Sequence, residues 1–241
     1  MPLQNIFYRA LLTKKVRLHL TMIDFTKARM SSYYDGLEKK VCKKSSSLIV
    51  QTEDMRNAMR QMEYIGSSAK IMISHFWPIL TNLQAVGQSA FGNTIAFSGA
   101  LNKAPFASKL SSLDKRLVFT VNPVFRMITE DWGLVWDGDS LETCTGRFGN
   151  YMRMVFPYKA SLYLASNRPL IVWKECGIAQ FVEEHHLGIT VQTLHDIYDR
   201  ISSVSDEEKC LILKNVAGYS KDIRMGTERK DMIRKILSEN L

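Results

Sequence analysis

Cysteine is scarce in this chain of 241 residues. Cys42, Cys144, Cys176 and Cys210 stand far apart, so no two have metal-ligand spacing and no disulfide framework is implied. A reducing compartment, the cytoplasm, is the expectation that follows. Long apolar runs are also missing, and no stretch reaches the ~18 consecutive apolar residues of a membrane span. Residues 1 to 12 lack the apolar core and small-residue cleavage site of a secretory signal. Neither an internal repeat nor a low-complexity segment is present. No Ser/His/Asp or Cys/His set is visible along the sequence. The adjacent His185 and His186 would point about 100° apart on a helix, so they cannot chelate together. His19 falls in a strand pattern and reads as structural, and His75 and Trp77 fall near a linker.

What is present is a substantial apolar fraction, 46%, enough to bury one large core or two modest ones. Lysine and arginine number 32 against 24 acids, a net charge of +8. That balance favours anionic partners: nucleotides, phosphates, nucleic acid or an acidic membrane face. Nucleic acid ranks last, because interleaved aromatics and a recognised binding motif are both missing.

Strand and helix patterns alternate along the chain. Ile6 to Leu12 reads as a helical fragment, Val16 to Ile23 as a strand, Ser31 to Lys43 as a helix and Ser47 to Val50 as a strand. Thr52 is a good N-cap for the helix that follows, Gly66 a good stop, and Lys70 to Ile73 another strand. Residues 74 to 93 break the rhythm with Pro78, Asn82, Gly87 and Gly92, and read as a linker. A second series follows, with strands at 94 to 99, 116 to 121, 133 to 136, 170 to 173 and 188 to 191. A helix is expected over 176 to 186, and the chain is helical from Thr193 onward. The pattern predicts an α/β protein with parallel sheets in two Rossmann-like units, residues 1–80 and 81–241, the first oddly short.

The stretch FPYKASLYLASNRPLIVW, residues 156 to 173, is the most informative. Pro157 suits the start of a helix, Asn167 can end it in a left-handed conformation, and Pro169 stops its return. Leu170 to Trp173 has the content of a strand buried on both faces. Lys159 and Ser161 therefore sit in the first turn of a short helix, where free N–H groups, a positive dipole end and an ammonium suit a phosphate.

Other candidates lie just beyond strands. Asp137-Gly138-Asp139 follows GLVW, and two readings fit it: an Asp-x-Asp metal clamp on a nucleotide diphosphate, or a strand-end turn whose carboxylates cap local N–H groups. Gly99, Asn102 and Lys103 follow TIAFS, where a glycine lets a ligand approach the backbone and a lysine can reach a phosphate. A plain strand-to-helix turn has the same look. Arg147, Tyr151, Arg153 and Tyr158 cluster before Lys159 and suit a diphosphate or a sugar, as they would a solvated loop.

GLVWDGDS, the tyrosine-bearing loop, Pro157-Tyr158-Lys159-Ala160-Ser161-Leu162-Tyr163-Leu164-Ala165 and the strand after Pro169 occur in a telling order. Residues 133 to 191 closely resemble the C-terminal domain of bacterial sugar transferases of the galactofuranosyltransferase and glucosyltransferase 3 type. SGALNKAPF at 98 to 106, MIDFTKAR at 22 to 29 and SLIVQTEDMRNAM at 47 to 59 resemble the family more loosely. The resemblance implies a GT-B architecture, a UDP-sugar held mainly by the C-terminal domain, and no required metal or other cofactor. It implies a hexosyltransferase of polysaccharide biosynthesis, passing glucosyl, galactosyl or galactofuranosyl to a glycan acceptor with inversion. Lys159, Ser161, Tyr158, Gly99, Asn102, Lys103, Asp137, Gly138, Asp139 and Tyr151 become the donor-site candidates. Asp24, at a strand's C-terminal end, is the candidate general base.

The sequence also departs from the family. Tyr158 stands where relatives often have histidine, and the span from Gly99 to Trp136 is short. Met1 falls where relatives already have earlier strands, so the N-terminal domain is expected to be incomplete, with an exposed sheet edge. Hence a second reading: a shortened, inactive member that binds nucleotide or serves as an interaction subunit. The expected setting is cytoplasmic, with room for a homo-oligomer and for peripheral contact with the inner membrane face.

Overall fold

The computed structural model describes residues 2–13, 15, 17–22, 35–81, 87–122 and 126–238. Alternating strand and helix patterns predict parallel sheets, and two form. The chain divides into two compact units, Met1–His75 with Met232–Leu241, and Phe76–Asp231. The C-terminal residues from Met232 group with the first unit.

The first unit contains α1 (Pro2–Thr13), β1 (His19–Thr21), α2 (Asp35–Lys44), β2 (Ser47–Val50), α3 (Glu53–Gln61) and β3 (Lys70–Ile73). The strands pair in parallel in the order β1-β2-β3, with His19 opposite Ser47 and Ser47 opposite Lys70. His19 Nδ1 meets Ser47 Oγ at 2.8 Å, the structural role expected of it. Every residue of β2 is buried, as its unbroken apolar run requires. Thr52 caps α3, its side chain accepting from the Met55 N–H at 3.0 Å. Gly66 does not stop that helix. The helix ends at Gln61 and Glu63 takes the left-handed turn at φ 57°, while a Cβ on Gly66 would stand 2.5 Å from the Lys43 carbonyl oxygen. Close approach, not helix termination, is what that glycine allows.

The second unit carries β4 (Thr94–Ser98), β5 (Val118–Asn122), β6 (Trp132–Val135), β7 (Leu170–Trp173) and β8 (Gly188–Val191). They form a parallel sheet in the order β5-β4-β6-β7-β8. Around it lie α4 (Gly146–Tyr151), α5 (Tyr158–Ala165), α6 (Ala179–Glu184), α7 (Ile197–Ser202) and α8 (Asp206–Met225), and α9 (Thr227–Ser238) begins here. Trp132, Trp136, Trp173, Tyr163, Phe97 and Phe106 are buried in the core. The expected 176–186 helix starts only at Ala179, and α4 forms where a loop was expected.

The start of the linker segment is part of this unit's packing. Phe76 and Ile79 are buried, the Ile79 N–H donates to Ile223 O at 3.1 Å, and Trp77 Nε1 donates to Phe156 O at 3.3 Å. Residues 82–86 lie outside the described residues.

Helix α5 follows from its sequence almost residue by residue. Pro157 is its N-cap at φ −63°, Ser166 its C-cap, and Asn167 adopts φ 61° just before Arg168 and Pro169. It packs on β6 closely enough that a Cβ on Gly133 would stand 2.1 Å from Tyr163 Cγ. The glycine is what lets the ring lie on the sheet. Tyr163 Oη then accepts the Ser98 N–H at 2.7 Å and donates to Leu134 O at 3.1 Å, tying the ends of β4 and β6 together.

Candidate functional site

Strand order sets the place. From β4 the chain moves to β5 on one side, then returns to β6 on the other. At the carboxyl ends of β4 and β6 the connections therefore diverge, and ligands of open parallel sheets bind in the crevice such a switch point opens. Gly99 follows β4 there, Trp136 and Asp137 follow β6, and the first turn of α5 brings in Lys159.

Lys159 is nearly buried, and its Nζ donates to Trp136 O at 2.8 Å and lies 2.9 Å from Asp137 Oδ2. The same ammonium stands 4.6 Å from the centroid of the Phe97 ring. An ammonium has three N–H donors, so these two oxygen contacts leave a third for a ligand. Gly99 keeps the space beside it open, since a Cβ there would stand 3.6 Å from Nζ and 3.1 Å from Phe97 Cζ. Helix α5 adds the backbone amides of its first turn, of which Ala160 N–H already donates to Pro157 O at 2.9 Å, and the positive end of its dipole. Lys159, Asp137 and Gly99, three of the sequence candidates, are thus brought together.

The others are placed less centrally. Ser161 is fully buried, and its Oγ accepts the Trp77 N–H at 2.9 Å, which pins α5 to the segment after Phe76. Tyr158 is 51% exposed at the start of α5, and partial burial raises its phenol pKa. Gly138 is buried at φ 108°, where a Cβ would stand 2.4 Å from Thr145 O, so this turn demands glycine. Asp139 is exposed, its Oδ2 only 2.9 Å from where a Cβ on Gly146 would be. Tyr151 is buried in α4, and Asn102 is exposed in the 3-10 turn Leu101–Lys103, whose last residue is Lys103. Arg147 is exposed, while Arg153 pairs with Glu175 and lies 4.6 Å over the Trp173 ring. Asp24 lies outside the described residues. Among the described residues no group of three or more His, Cys, Asp or Glu side chains is arranged to hold a metal ion.

Sequence reasoning missed Tyr163 and Phe97. Tyr163 looked like one more apolar helix residue; the signal was its hydroxyl, which needs partners once buried. Burial pushes that phenol's pKa upward, so it stays protonated and can donate to Leu134 O.

The parallel α/β layout is that of the GT-B class of glycosyltransferases. Across 97% of its length the chain superposes on sucrose-phosphate synthase from Thermosynechococcus elongatus, with a TM-score of 0.56, 10% identity and 71% of that chain covered. It superposes equally far on the pneumococcal O-GlcNAc transferase GtfA in complex with UDP and GlcNAc, with a TM-score of 0.53, 12% identity and 55% of that chain covered. Residues 62–236 match the family described as glucosyltransferase 3-like, C-terminal domain, and the chain belongs to that family. Over 108 residues it is 32% identical to the beta-1,6-galactofuranosyltransferase WbbI of Escherichia coli strain K12. That alignment covers 45% of this chain and 33% of WbbI, so the chain spans about a third of this relative's length.

Proposed function

We propose that the chain binds the diphosphate of a UDP-sugar at the switch point between β4 and β6 and serves hexosyl transfer to a glycan acceptor. The single observation that carries this is the Lys159 ammonium at the first turn of α5, held by Trp136 O and Asp137 beside the opening that Gly99 leaves. In this reading the third N–H of Lys159 and the first amides of α5 meet the diphosphate. As the glycosidic bond breaks, negative charge grows on the leaving diphosphate, and donors fixed beforehand stabilise it without reorganising. The ammonium and helix end take that part, and the proposal calls for no metal. Asp137 is a positioning residue that fixes the lysine rotamer. Ser161 is another, holding α5 through Trp77. Tyr158, Tyr151, Asn102, Lys103, Gly138 and Asp139 form the surroundings in which nucleoside and sugar would lie. The acceptor hydroxyl attacks the anomeric carbon with inversion, and Asp24 is the proposed base.

The test is a screen of UDP-glucose, UDP-galactose and UDP-galactofuranose for UDP release with and without glycan acceptors. Acceptor-dependent release that Lys159→Ala abolishes supports transfer. Saturable UDP binding without release from any donor supports the second reading, a nucleotide-binding subunit. A folded chain that neither binds UDP nor releases it overturns both.

A further inference from the structure

A second cationic place lies at the far end of α5, roughly 12 Å along the helix axis from the turn that holds Lys159. A cavity of about 400 Å³ is walled by Thr81, Asn167, Ser220, Lys221, Arg224 and Met225, and among the described residues no acidic side chain lines it. Lys221 and Arg224 stand three apart on α8 and so share a face. Among the described residues neither is ion-paired. The wall is fixed, because buried Ser220 donates its hydroxyl to Ala165 O at 3.0 Å and locks α8 against the end of α5. Arg224 also suits the negative C-terminal end of α8, but Lys221 lies a turn earlier, and the unneutralised cavity beside both is what a helix dipole does not explain.

We infer that this cavity binds the phosphate group of an anionic ligand. A guanidinium fork grips phosphate oxygens in pairs, an ammonium adds a compact charge, and the Asn and Thr side chains supply neutral polar groups. The cavity is larger than a phosphate alone, leaving room for a glycerol or sugar attached to it. Its rim favours a lipid source. Met225 is 52% and Leu80 69% exposed. Leu80 precedes Thr81, and its Cδ2 lies 3.2 Å from where a Cβ on Gly226 would stand, next to Met225. Two apolar side chains beside two cations suit the boundary between headgroups and acyl chains of an anionic bilayer.

The experiment compares the full chain with its Lys221→Glu/Arg224→Glu double variant in two arms. One is sedimentation with vesicles of phosphatidylcholine alone or with 30% phosphatidylglycerol (a composition chosen to be about a third anionic). The other is titration with soluble glycerol phosphate. The wild type is expected to sediment with the anionic vesicles only, and the double variant to bind them at least about thirtyfold more weakly. Leu80→Ser, a change on the rim outside the cavity wall, should weaken vesicle binding while leaving glycerol phosphate binding unchanged. Binding of glycerol phosphate that the double variant loses, with no vesicle binding, keeps the phosphate site and makes its ligand soluble. Wild-type binding in neither arm overturns the inference, as does equal loss in Lys109→Glu/Lys115→Glu, exposed lysines remote in sequence from the cavity.

Discussion

At Gly99 the missing side chain leaves room beside an ammonium, and filling it gives a sharp prediction. A Cβ would stand 3.6 Å from Lys159 Nζ and 3.1 Å from Phe97 Cζ. Gly99→Val should therefore weaken UDP binding about tenfold or more, the loss of about one charge-assisted hydrogen bond. The cost in stability should be modest, so the melting temperature should stay within a few degrees of the wild type. A Gly99→Val protein that binds UDP normally would separate that glycine from the donor site. Gly133 makes the opposite prediction. With Tyr163 Cγ 2.1 Å from the position of a Cβ, Gly133→Ala should cost about 3 kcal/mol or more, read as a lowered denaturant midpoint. These two glycines differ little in sequence context. Only the structure shows that a Cβ would come into tight contact with the Phe97 ring beside the Lys159 ammonium at one, and would overlap the Tyr163 ring at the other.

At the scale of elements, α5 and the strand after it were legible because the local signals agree. Pro157, Asn167 and Pro169 bracket the helix, and LIVW fills a strand buried on both faces. Placing Lys159 in the first turn needed nothing beyond that bracketing. Its partners were not legible, since Asp137 is set 22 positions earlier in the chain and meets Lys159 only because α5 packs on β6, beyond whose end Asp137 lies. Gly66 misled for a related reason: its use is set by Lys43, a tertiary neighbour, while Glu63 supplies the turn. The helix α5 also depends on one hydroxyl. Tyr163→Phe keeps the ring but strands the Ser98 N–H and frees Leu134 O, so it should cost about 1–3 kcal/mol by equilibrium denaturation. Backbone amides at the end of β4 should exchange faster with deuterium in that variant. Unchanged stability and exchange would mean that the bridge between the two strand ends contributes nothing.

For the whole molecule, the sequence predicted two parallel α/β units, and two parallel sheets form. Alternation of apolar runs with helix patterns survives any error in element ends, which explains why the fold was readable while boundaries were not. The linker shows the limit of composition: proline and glycine marked a break, yet Phe76 and Ile79 within it are core residues of the second unit. The cysteines test the packing of both units at once. Burial pushes the thiols of Cys42 and Cys176 up to about 12 and that of Cys144 upward, whereas Cys210 is exposed on α8. With pKa values so far above neutrality, the buried thiols hold almost no thiolate at pH 8. A thiol reagent should therefore modify Cys210 alone in the native chain and all four after unfolding, as mass spectrometry would show.

The claim at the centre of the account is that Lys159 holds a donor diphosphate. Calorimetric titration of wild type and Lys159→Ala with UDP, with ADP and GDP as comparisons, tests it most directly. The account predicts saturable binding that prefers UDP and weakens about tenfold or more in the variant, with circular dichroism showing both proteins folded. Equal UDP affinity in the two proteins, or no UDP binding by the folded wild type, would contradict it.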